Sequence, residues 1–300
     1  MQYLYLVIVI LMCSAQNVTN KQYGLKTKKT NDFLFAAIVA FTAMIFFMAS
    51  SGFKLEFNKE ILPYSIAFAI AYASSLVSQF LAIKWGPLSI TLLVISYSLI
   101  LPTMYGLIAL GDTLSIFGIV GLVLLVISLF LISNVLERKK DKDTAEKEKQ
   151  FSLKWLIALI IGFVGNGMCS IIQKMQNVAF FDEASNSSLY KNEFMIIALA
   201  IAVVVLIVVS IINKEDIRVG TLPCVGFAAL TGIANGIVNL LVMVLSAPGV
   251  MNASILFPSI SGGGMVLAFL LSIFVYKERL SRLQYIGYVI GSVSVVLLNI

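Results

Sequence analysis

The segment "KERLSRLQYIG" (277–287) interrupts two long apolar runs near the end of the chain and resembles an earlier segment, "GDTLSIFGIVG" (111–121). The two segments align at a constant offset of 166 residues. The matched positions are Asp112 with Glu278, Leu114 with Leu280, Ser115 with Ser281 and Gly121 with Gly287.

Two further pairs of segments match in the same order along the chain. "NKQ" (20–22) corresponds to "QKM" (173–175), and "WGPLS" (85–89) corresponds to "SAPGV" (246–250). The offset grows along the chain, which indicates small insertions in the second copy. Because the matches keep their order, we interpret the chain as an internal repeat.

The composition is that of a membrane protein. Of the 300 residues, 60% are hydrophobic and only 12% are charged, whereas a soluble domain carries about 25% charged residues. A helix needs about 20 apolar residues to cross a bilayer. The sequence lacks the short segments of alternating polarity that are typical of a membrane barrel. The sequence therefore predicts an all-α polytopic membrane protein with ten transmembrane helices. The ten apolar runs lie near 2–20, 33–50, 62–83, 88–110, 115–134, 153–173, 190–212, 222–245, 250–276 and 283–300.

The ten runs divide into two repeats of five helices. We place the first repeat at 1–136, a charged linker at 137–152 and the second repeat at 153–300. Because five is odd, the second repeat must enter the membrane from the opposite side. Inverted repeats of this kind are typical of secondary transporters, whose substrates bind near the midplane between the repeats.

The basic residues predict the orientation in the membrane. Of the 21 Lys and Arg residues, 17 fall in odd-numbered loops and 4 in even-numbered loops. Short loops rich in Lys and Arg stay in the cytoplasm. We therefore expect a multi-pass protein of the plasma membrane with both termini outside and the linker inside.

The two copies of the repeated segment, with the helices that follow them, resemble a known family. The segments "ALGDTLSIFGIVGLVLLVISLFLI" (109–132) and "YKERLSRLQYIGYVIGSVSVVLL" (276–298) are similar to the drug/metabolite transporter superfamily, EamA-like branch. The resemblance covers essentially the whole chain. It implies a central cavity lined mainly by the first, third, fourth, sixth, eighth and ninth helices, with the fifth and tenth peripheral.

Polar residues form stripes on several of these helices, at spacings of three and four that place them on one helix face. Polar side chains inside a membrane usually face the bundle interior or a cavity. The alternative is that they only join helices, at about 1 kcal/mol for each hydrogen bond. The candidate substrate-binding residues are Asn17, Asn20, Lys21, Gln79, Asn166, Ser170, Gln173, Lys174, Asn235, Asn239 and Ser259.

Glycine and proline predict an irregular ninth helix. The segment "FPSISGGGM" (257–265) combines a proline with three consecutive glycines, so we expect it to kink or unwind. In the eighth helix, Gly232 and Gly236 suit either cavity formation or close packing of helices.

The positions of the charged residues limit the transport mechanisms and substrates that we expect. No Asp or Glu lies in the middle of a predicted helix, which disfavours a cation/proton exchanger built on one intramembrane carboxylate. We expect Asp112 and Glu278 to cap helix starts. Lys21 and Lys174 occupy equivalent positions and suit an anionic or zwitterionic substrate at the two mouths of a cavity. The alternative is that both side chains extend to the membrane surface.

The function expected from the sequence is secondary transport by alternating access. The chain would export a small metabolite, either amino-acid-like or another small polar or anionic solute. Alternatives are a lipid transporter or scramblase and, more remotely, a channel. The sequence has no phosphate-binding loop motif, which disfavours an ATP-driven pump. It has no histidine and no cluster of Cys or carboxylate residues within the apolar runs, so we expect no enzyme activity and no cofactor. Expected partners are the solute and membrane lipid but no nucleic acid, with the chain as a monomer or homodimer.

Overall fold

A computed structural model of the chain describes residues 1–26, 31–85, 91, 94–95, 97–132, 153–185, 187–215, 221–274 and 281–299. The described part is all-α apart from one two-residue strand pair, Phe181–Asp182 with Ser187–Ser188. Its ten α-helices are α1 (Gln2–Lys26), α2 (Asp32–Ser50), α3 (Leu62–Trp85), α4 (Ile100–Ala109), α5 (Ile116–Ile132), α6 (Leu153–Ala179), α7 (Lys191–Ile212), α8 (Thr221–Leu245), α9 (Ala253–Phe274) and α10 (Arg282–Leu298).

One described helix lies in each of the ten apolar runs of the sequence, and α4 occupies only 100–109 of the run predicted at 88–110. Helices α1 and α6 each continue about six residues beyond the predicted ends at 20 and 173. Six helices within the described residues are long and apolar enough to cross a membrane, and α4, α5 and α10 are shorter apolar helices. The structure thus supports a helical, membrane-embedded protein, while ten membrane crossings remain a prediction. The linker at 137–152 lies outside the described residues.

The chain folds into two compact units. Unit 1 contains residues 1–77 and 168–251, and unit 2 contains residues 78–167 and 252–300. The divisions fall inside α3 and α6, and each unit combines segments from both predicted repeats. The repeats at 1–136 and 153–300 are therefore not separate compact units, and the repeat interpretation itself stays a prediction.

The core of unit 1, where α2 packs against α7, contains small residues beside fully buried large ones such as Phe47 and Leu199. Ala40 and Ala43 on α2 are fully buried, as are Ala198 and Ala202 on α7. Small side chains let helix backbones approach closely, which is the main source of packing energy between membrane helices. The two helices are antiparallel, because the end of α2 meets the start of α7.

Glu215, just beyond the end of α7, caps the start of α2. Its carboxylate oxygens accept hydrogen bonds from Phe33 N at 3.0 Å and Leu34 N at 2.8 Å, and the Ser210 hydroxyl donates to it at 2.8 Å. The first N–H groups of a helix have no partner inside the helix, and a carboxylate at this end also interacts favourably with the helix dipole. Glu215 thus fixes α2 and α7 as an antiparallel pair.

Replacing Glu215 with alanine should destabilise unit 1 by about 1–2 kcal/mol, the usual cost of losing a helix cap. The expected result is a lower melting temperature of the purified protein in detergent. Glu183→Ala is the matched control, because Glu183 is an exposed carboxylate on the hairpin after α6. Equal melting temperatures for the two variants would contradict the capping role.

In unit 2, α5 and α10 pack against each other through two reciprocal contacts. The Ser128 hydroxyl on α5 donates to Gly287 O on α10 at 2.7 Å. A methyl group added at Gly121 on α5 would lie 2.9 Å from Ser294 O on α10. The offset of 166 residues matches Ser128 with Ser294 and Gly121 with Gly287, so each contact joins the same two matched positions with the helices exchanged. The two helices are antiparallel, because early positions of one lie against late positions of the other.

The serine shared by the two copies of the opening segment begins a helix in each case. The Ser281 hydroxyl accepts from Gln284 N in a capping box, and the Ser115 hydroxyl accepts from Gly118 N at 3.0 Å. Asp112 also caps a helix, although not the one that follows it. Its Oδ2 accepts from Ser254 N at 3.0 Å. Asp112, in the turn after α4, thus caps the start of α9.

The outward faces of several helices are apolar. Val204 on α7 and Val289 on α10 are each more than 60% exposed, and α5 presents Ile116 and Phe117 in the same way. Exposed apolar faces of this extent are costly in water but suit contact with lipid. They support the membrane-embedded character of the chain.

The ninth helix differs from expectation. Helix α9 continues from Ala253 to Phe274 with Pro258 inside it, so the prediction that 257–265 unwinds is wrong, while a kink at Pro258 stays a prediction. A side chain at Gly262 would collide with Val295 on α10. The glycine here allows close packing rather than irregular backbone, and that packing offsets the helix-weakening effect of glycine.

Candidate functional site

Amide side chains from three helices of unit 1 form one hydrogen-bonded row. Gln173 Nε2 on α6 donates to Asn239 Oδ1 on α8 at 2.7 Å. Asn239 Nδ2 donates to Asn235 Oδ1 at 3.0 Å, and Asn235 Nδ2 donates to Gln16 Oε1 on α1 at 3.2 Å. The stripes predicted on the first, sixth and eighth helices thus meet. We call Gln16, Gln173, Asn235 and Asn239 the amide row.

A second polar contact joins α1 and α8 one helical turn away. The hydroxyls of Thr19 and Thr231 lie 2.6 Å apart, and the Thr231 hydroxyl donates to Asn20 Oδ1 at 3.4 Å. Thr231 is buried, whereas Asn20 is exposed. The α1 side chains that reach α8 are therefore spaced at three and four residues, as expected for one helix face.

The face of α1 that meets α8 is displaced from the predicted stripe. Asn17 is exposed, while Gln16 and Thr19, which the sequence analysis did not include, bond to α8. The spacing of Gln16 could have predicted this contact, because Gln16 precedes Asn20 by four residues and the polar residues of α8 are also spaced four apart. The buried Ser14 hydroxyl donates to Ile10 O of its own helix at 3.0 Å.

Lys174 is buried rather than placed at a surface. Its side chain is 5% exposed, and its Nζ donates to Ser246 O at 2.6 Å, just beyond the end of α8. The neighbouring Asn177 Nδ2 donates to Met243 O at 2.7 Å and to the Ser246 hydroxyl at 2.6 Å. A positive charge is favourable at the carbonyl end of a helix. Both side chains of α6 thus cap the end of α8.

This geometry bears on the two interpretations of the paired lysines. Extension of Lys174 to a membrane surface would require an exposed ammonium, which the described contacts do not provide. Recruitment of substrate by Lys174 remains a prediction. The side chain of Lys21 lies outside the part that the structure describes.

The other predicted site residues are distributed over both units. Ser170 is half-buried on the part of α6 that belongs to unit 1. In unit 2, Asn166 Nδ2 donates to the Ser98 hydroxyl at 2.6 Å, and the buried Ser259 hydroxyl accepts from Asn299 Nδ2 at 2.9 Å. Gln79 is half-buried on α3. Asn166 and Ser259 therefore take part in contacts within unit 2.

Close packing accounts for the two glycines of α8. A methyl group at Gly232 would lie 2.6 Å from Thr42 Cβ, and one at Gly236 would lie 2.5 Å from the Phe46 ring. Both neighbours belong to α2. The packing interpretation is therefore favoured over cavity formation at these positions, and the amide row lies on an α8 that is held firmly against α2.

The comparisons with known proteins define the fold. No family model matches the chain, and no curated protein matches it in sequence. A solved structure described only as the crystal structure of a protein matches 100% of this chain and 98% of its own, with a TM-score of 0.76 and 14% identity. At this identity the match shows a shared fold and nothing about activity.

Proposed function

We propose that the chain is a secondary transporter that moves a small polar solute across the membrane. The observation that carries this proposal is the amide row, which brings hydrogen-bonding side chains of three apolar helices together. Amides and hydroxyls of this kind are costly in a membrane and commonly line substrate pathways. The same proposal includes the ten-helix inverted repeat. It also includes the membership of the chain in the drug/metabolite transporter superfamily, EamA-like branch.

Helix directions support the inverted repeat. The pairs α2 with α7, α4 with α9 and α5 with α10 each join equivalent positions of the two repeats. In each pair one helix ends where its partner begins, as the contacts of Glu215, Asp112 and Ser128 indicate. Repeats related by an axis in the membrane plane bring equivalent helices together antiparallel.

The chemistry of the amide row favours an uncharged or zwitterionic polar solute. Its side chains offer both donors and acceptors, and the described residues in contact with it include no Asp or Glu. Lys174, one residue from Gln173, supplies a single buried positive charge. An amino-acid-like solute carries donors, acceptors and a carboxylate that suit this set.

A metabolite comparison followed by reconstitution tests the proposal. Pools inside and outside cells with and without the protein would be compared, and solutes that accumulate outside would be loaded into sealed vesicles containing the purified chain. We expect protein-dependent release of a small polar solute. Release of no solute, together with protein-dependent movement of fluorescent lipid in the same vesicles, would replace this proposal with the lipid-transport alternative.

The proposed orientation has a separate test based on two single-cysteine variants. Cys13, Cys169 and Cys224 would first be replaced by alanine, after which Ala145→Cys probes the linker and Ser185→Cys probes the hairpin after α6. Because Lys and Arg collect on the cytoplasmic side, an impermeant thiol reagent should label position 185 in intact cells. Position 145 should be labelled only after the membrane is opened. The opposite pattern would reverse the orientation of both termini.

Ser185 is a suitable probe position because it is exposed and lies in a defined turn. Its hydroxyl donates to Asp182 Oδ2 at 2.6 Å, and this bond, together with N–H groups of the turn, lowers the pKa of Asp182 below its ordinary value. The carboxylate therefore stays ionised at neutral pH. Loss of one exposed hydroxyl contact leaves the two backbone N–H bonds to Asp182 in place.

A further inference from the structure

The loop between α2 and α3 exposes large apolar side chains in an alternating pattern. In the segment "FKLEF" (53–57), the first, third and fifth residues are apolar and the two between them are charged. The exposed fractions of the apolar side chains are 71% for Phe53, 46% for Leu55 and 64% for Phe57. Lys54 and Glu56 are exposed as well. We call residues 53–57 the amphipathic loop.

The alternation gives the amphipathic loop two different sides. Residues 54–58, all of which the structure describes, form neither helix nor strand, and Asn58 at their end has extended backbone. In an extended chain, successive side chains point to opposite sides. One side of the loop is therefore apolar, while the other side is charged.

The backbone of the amphipathic loop is held in place by hydrogen bonds. Glu56 N donates to Glu193 Oε1 at the start of α7, at 3.2 Å. Gly52 and Phe53 leave α2 with left-handed backbone, and Phe53 N donates to Met48 O at 3.1 Å. An apolar residue at this point of a helix end frequently packs back on the last turn, whereas Phe53 is exposed. The loop thus presents this ring outward on a fixed backbone.

The amphipathic loop lies at the boundary of the membrane-embedded part of unit 1. The candidate membrane span of α2 ends at Ser50, and the next candidate span begins at Lys59. On α2, the exposed residues Phe41 and Ile45 are four positions apart, and the exposed Ala49 follows at the same spacing. This outward stripe suits contact with lipid and reaches the last turn of α2. The apolar side chains of the loop therefore extend a surface that already faces lipid.

From this position and chemistry we propose that the amphipathic loop lies in the surface of the lipid bilayer. Phe53, Leu55 and Phe57 enter the boundary between headgroups and acyl chains, which is where amphipathic helices bury their apolar faces. Lys54 and Glu56 face the headgroups and water. Because their charges cancel, the loop needs no anionic lipid. The bilayer surface then holds the end of α2 and, through Glu56, the start of α7, independently of which solute the protein transports.

Spin-label scanning of the full-length protein tests this proposal. Cys13, Cys169 and Cys224 would be replaced by alanine, and single cysteines at positions 53 to 57 would each carry a nitroxide in phosphatidylcholine vesicles. Collisions with oxygen, an apolar molecule that concentrates among acyl chains, would be compared with collisions with a water-soluble nickel chelate. We expect oxygen to dominate at 53, 55 and 57 and nickel at 54 and 56. Added phosphatidylglycerol should leave this pattern unchanged.

A control position and two sets of substitutions sharpen the test. A nitroxide on Ser185→Cys, which is exposed on the hairpin after α6, should collide with nickel and little with oxygen. A nitroxide on Leu55→Cys should lose its oxygen collisions and gain nickel collisions when Phe53→Ser and Phe57→Ser are added, because the loop then lacks its apolar side. Adding Lys54→Gln instead should leave that nitroxide among the acyl chains.

Two results would overturn the proposal. One is nickel collision at all five positions, because the loop would then lie in water. The other is weak collision with both reagents at 53, 55 and 57, which would assign these side chains to a protein contact such as a second copy of the chain.

A second measurement avoids substitution at Phe53, where the left-handed backbone makes misfolding a concern. Tryptophan fluorescence of Phe57→Trp would be recorded in phosphatidylcholine with bromine on the upper acyl chain, after gel filtration has shown that the variant is folded. The two native tryptophans, measured in the unsubstituted chain, provide the background. We expect strong quenching of the added tryptophan, and an unquenched signal would contradict the proposal.

Discussion

Replacing Asn239 with leucine is expected to abolish transport while leaving folded protein in the membrane. Asn239 lies at the centre of the amide row, where it accepts from Gln173 and donates to Asn235. Leucine has the same branched shape, although it is somewhat larger, and can neither donate nor accept a hydrogen bond. A site built around hydrogen bonds loses roughly 100-fold or more when they are removed, whereas each helix-joining bond contributes only about 1 kcal/mol to stability.

The measurement is solute flux from vesicles that contain equal amounts of folded protein. Asn235→Leu should show the same loss, because it removes the link to Gln16 on α1. Asn166→Leu tests the equivalent expectation in unit 2. Asn213→Leu is the control, since Asn213 is exposed and bonds only within its own helix end. If flux and folded yield fall together in the amide-row variants, the amides join helices and do not bind solute.

Replacing Lys174 with glutamine is expected to lower the melting temperature and to weaken transport equally at low and high salt. The Lys174 ammonium is buried and bonded to Ser246 O at the end of α8. Removing one partner of a buried charged hydrogen bond costs about 1–3 kcal/mol. Salt screens exposed charges strongly and buried ones little, so ionic strength should not alter the effect.

The contrasting expectation follows if Lys174 recruits solute from water. The half-saturating concentration would then rise in Lys174→Gln, with a larger rise at low salt and no change in melting temperature. Lys174→Arg retains the charge but has a bulkier, planar head, and the narrow contact with Ser246 O should make it less stable than the wild type. A strong salt dependence with unchanged stability would contradict the capping role.

Much of the fold could be predicted from the sequence because a bilayer imposes simple length and polarity rules. The apolar runs located all ten described helices, and the polar spacing on α6 and α8 identified three of the four amide-row residues. Gln16 was missed because its face could be assigned only once α1 was packed against α8. The shared serine was recognised as part of a repeat, while its capping role needed the geometry at Ser115 and Ser281.

Other features depend on contacts that no local pattern encodes. Asp112 was expected to cap a helix, but its partner Ser254 is 142 residues away. Lys174 was expected either at a mouth of the cavity, as the repeat partner of Lys21, or extended to the membrane surface, whereas the structure buries it with its ammonium bonded to Ser246 O. The glycines at 262–264 predicted irregular backbone, whereas the packing of Gly262 on α10 maintains a helix.

The cap on α2 has a consequence for synthesis. Phe33 leaves the ribosome 182 residues before Glu215, which supplies its cap. At the usual elongation rate of about 5–20 residues per second, α2 waits on the order of 10–40 s for its partner. Helix α1 waits longer, because Asn235 on α8 follows its partner Gln16 by 219 residues. Unit 1 can therefore be completed only late in translation.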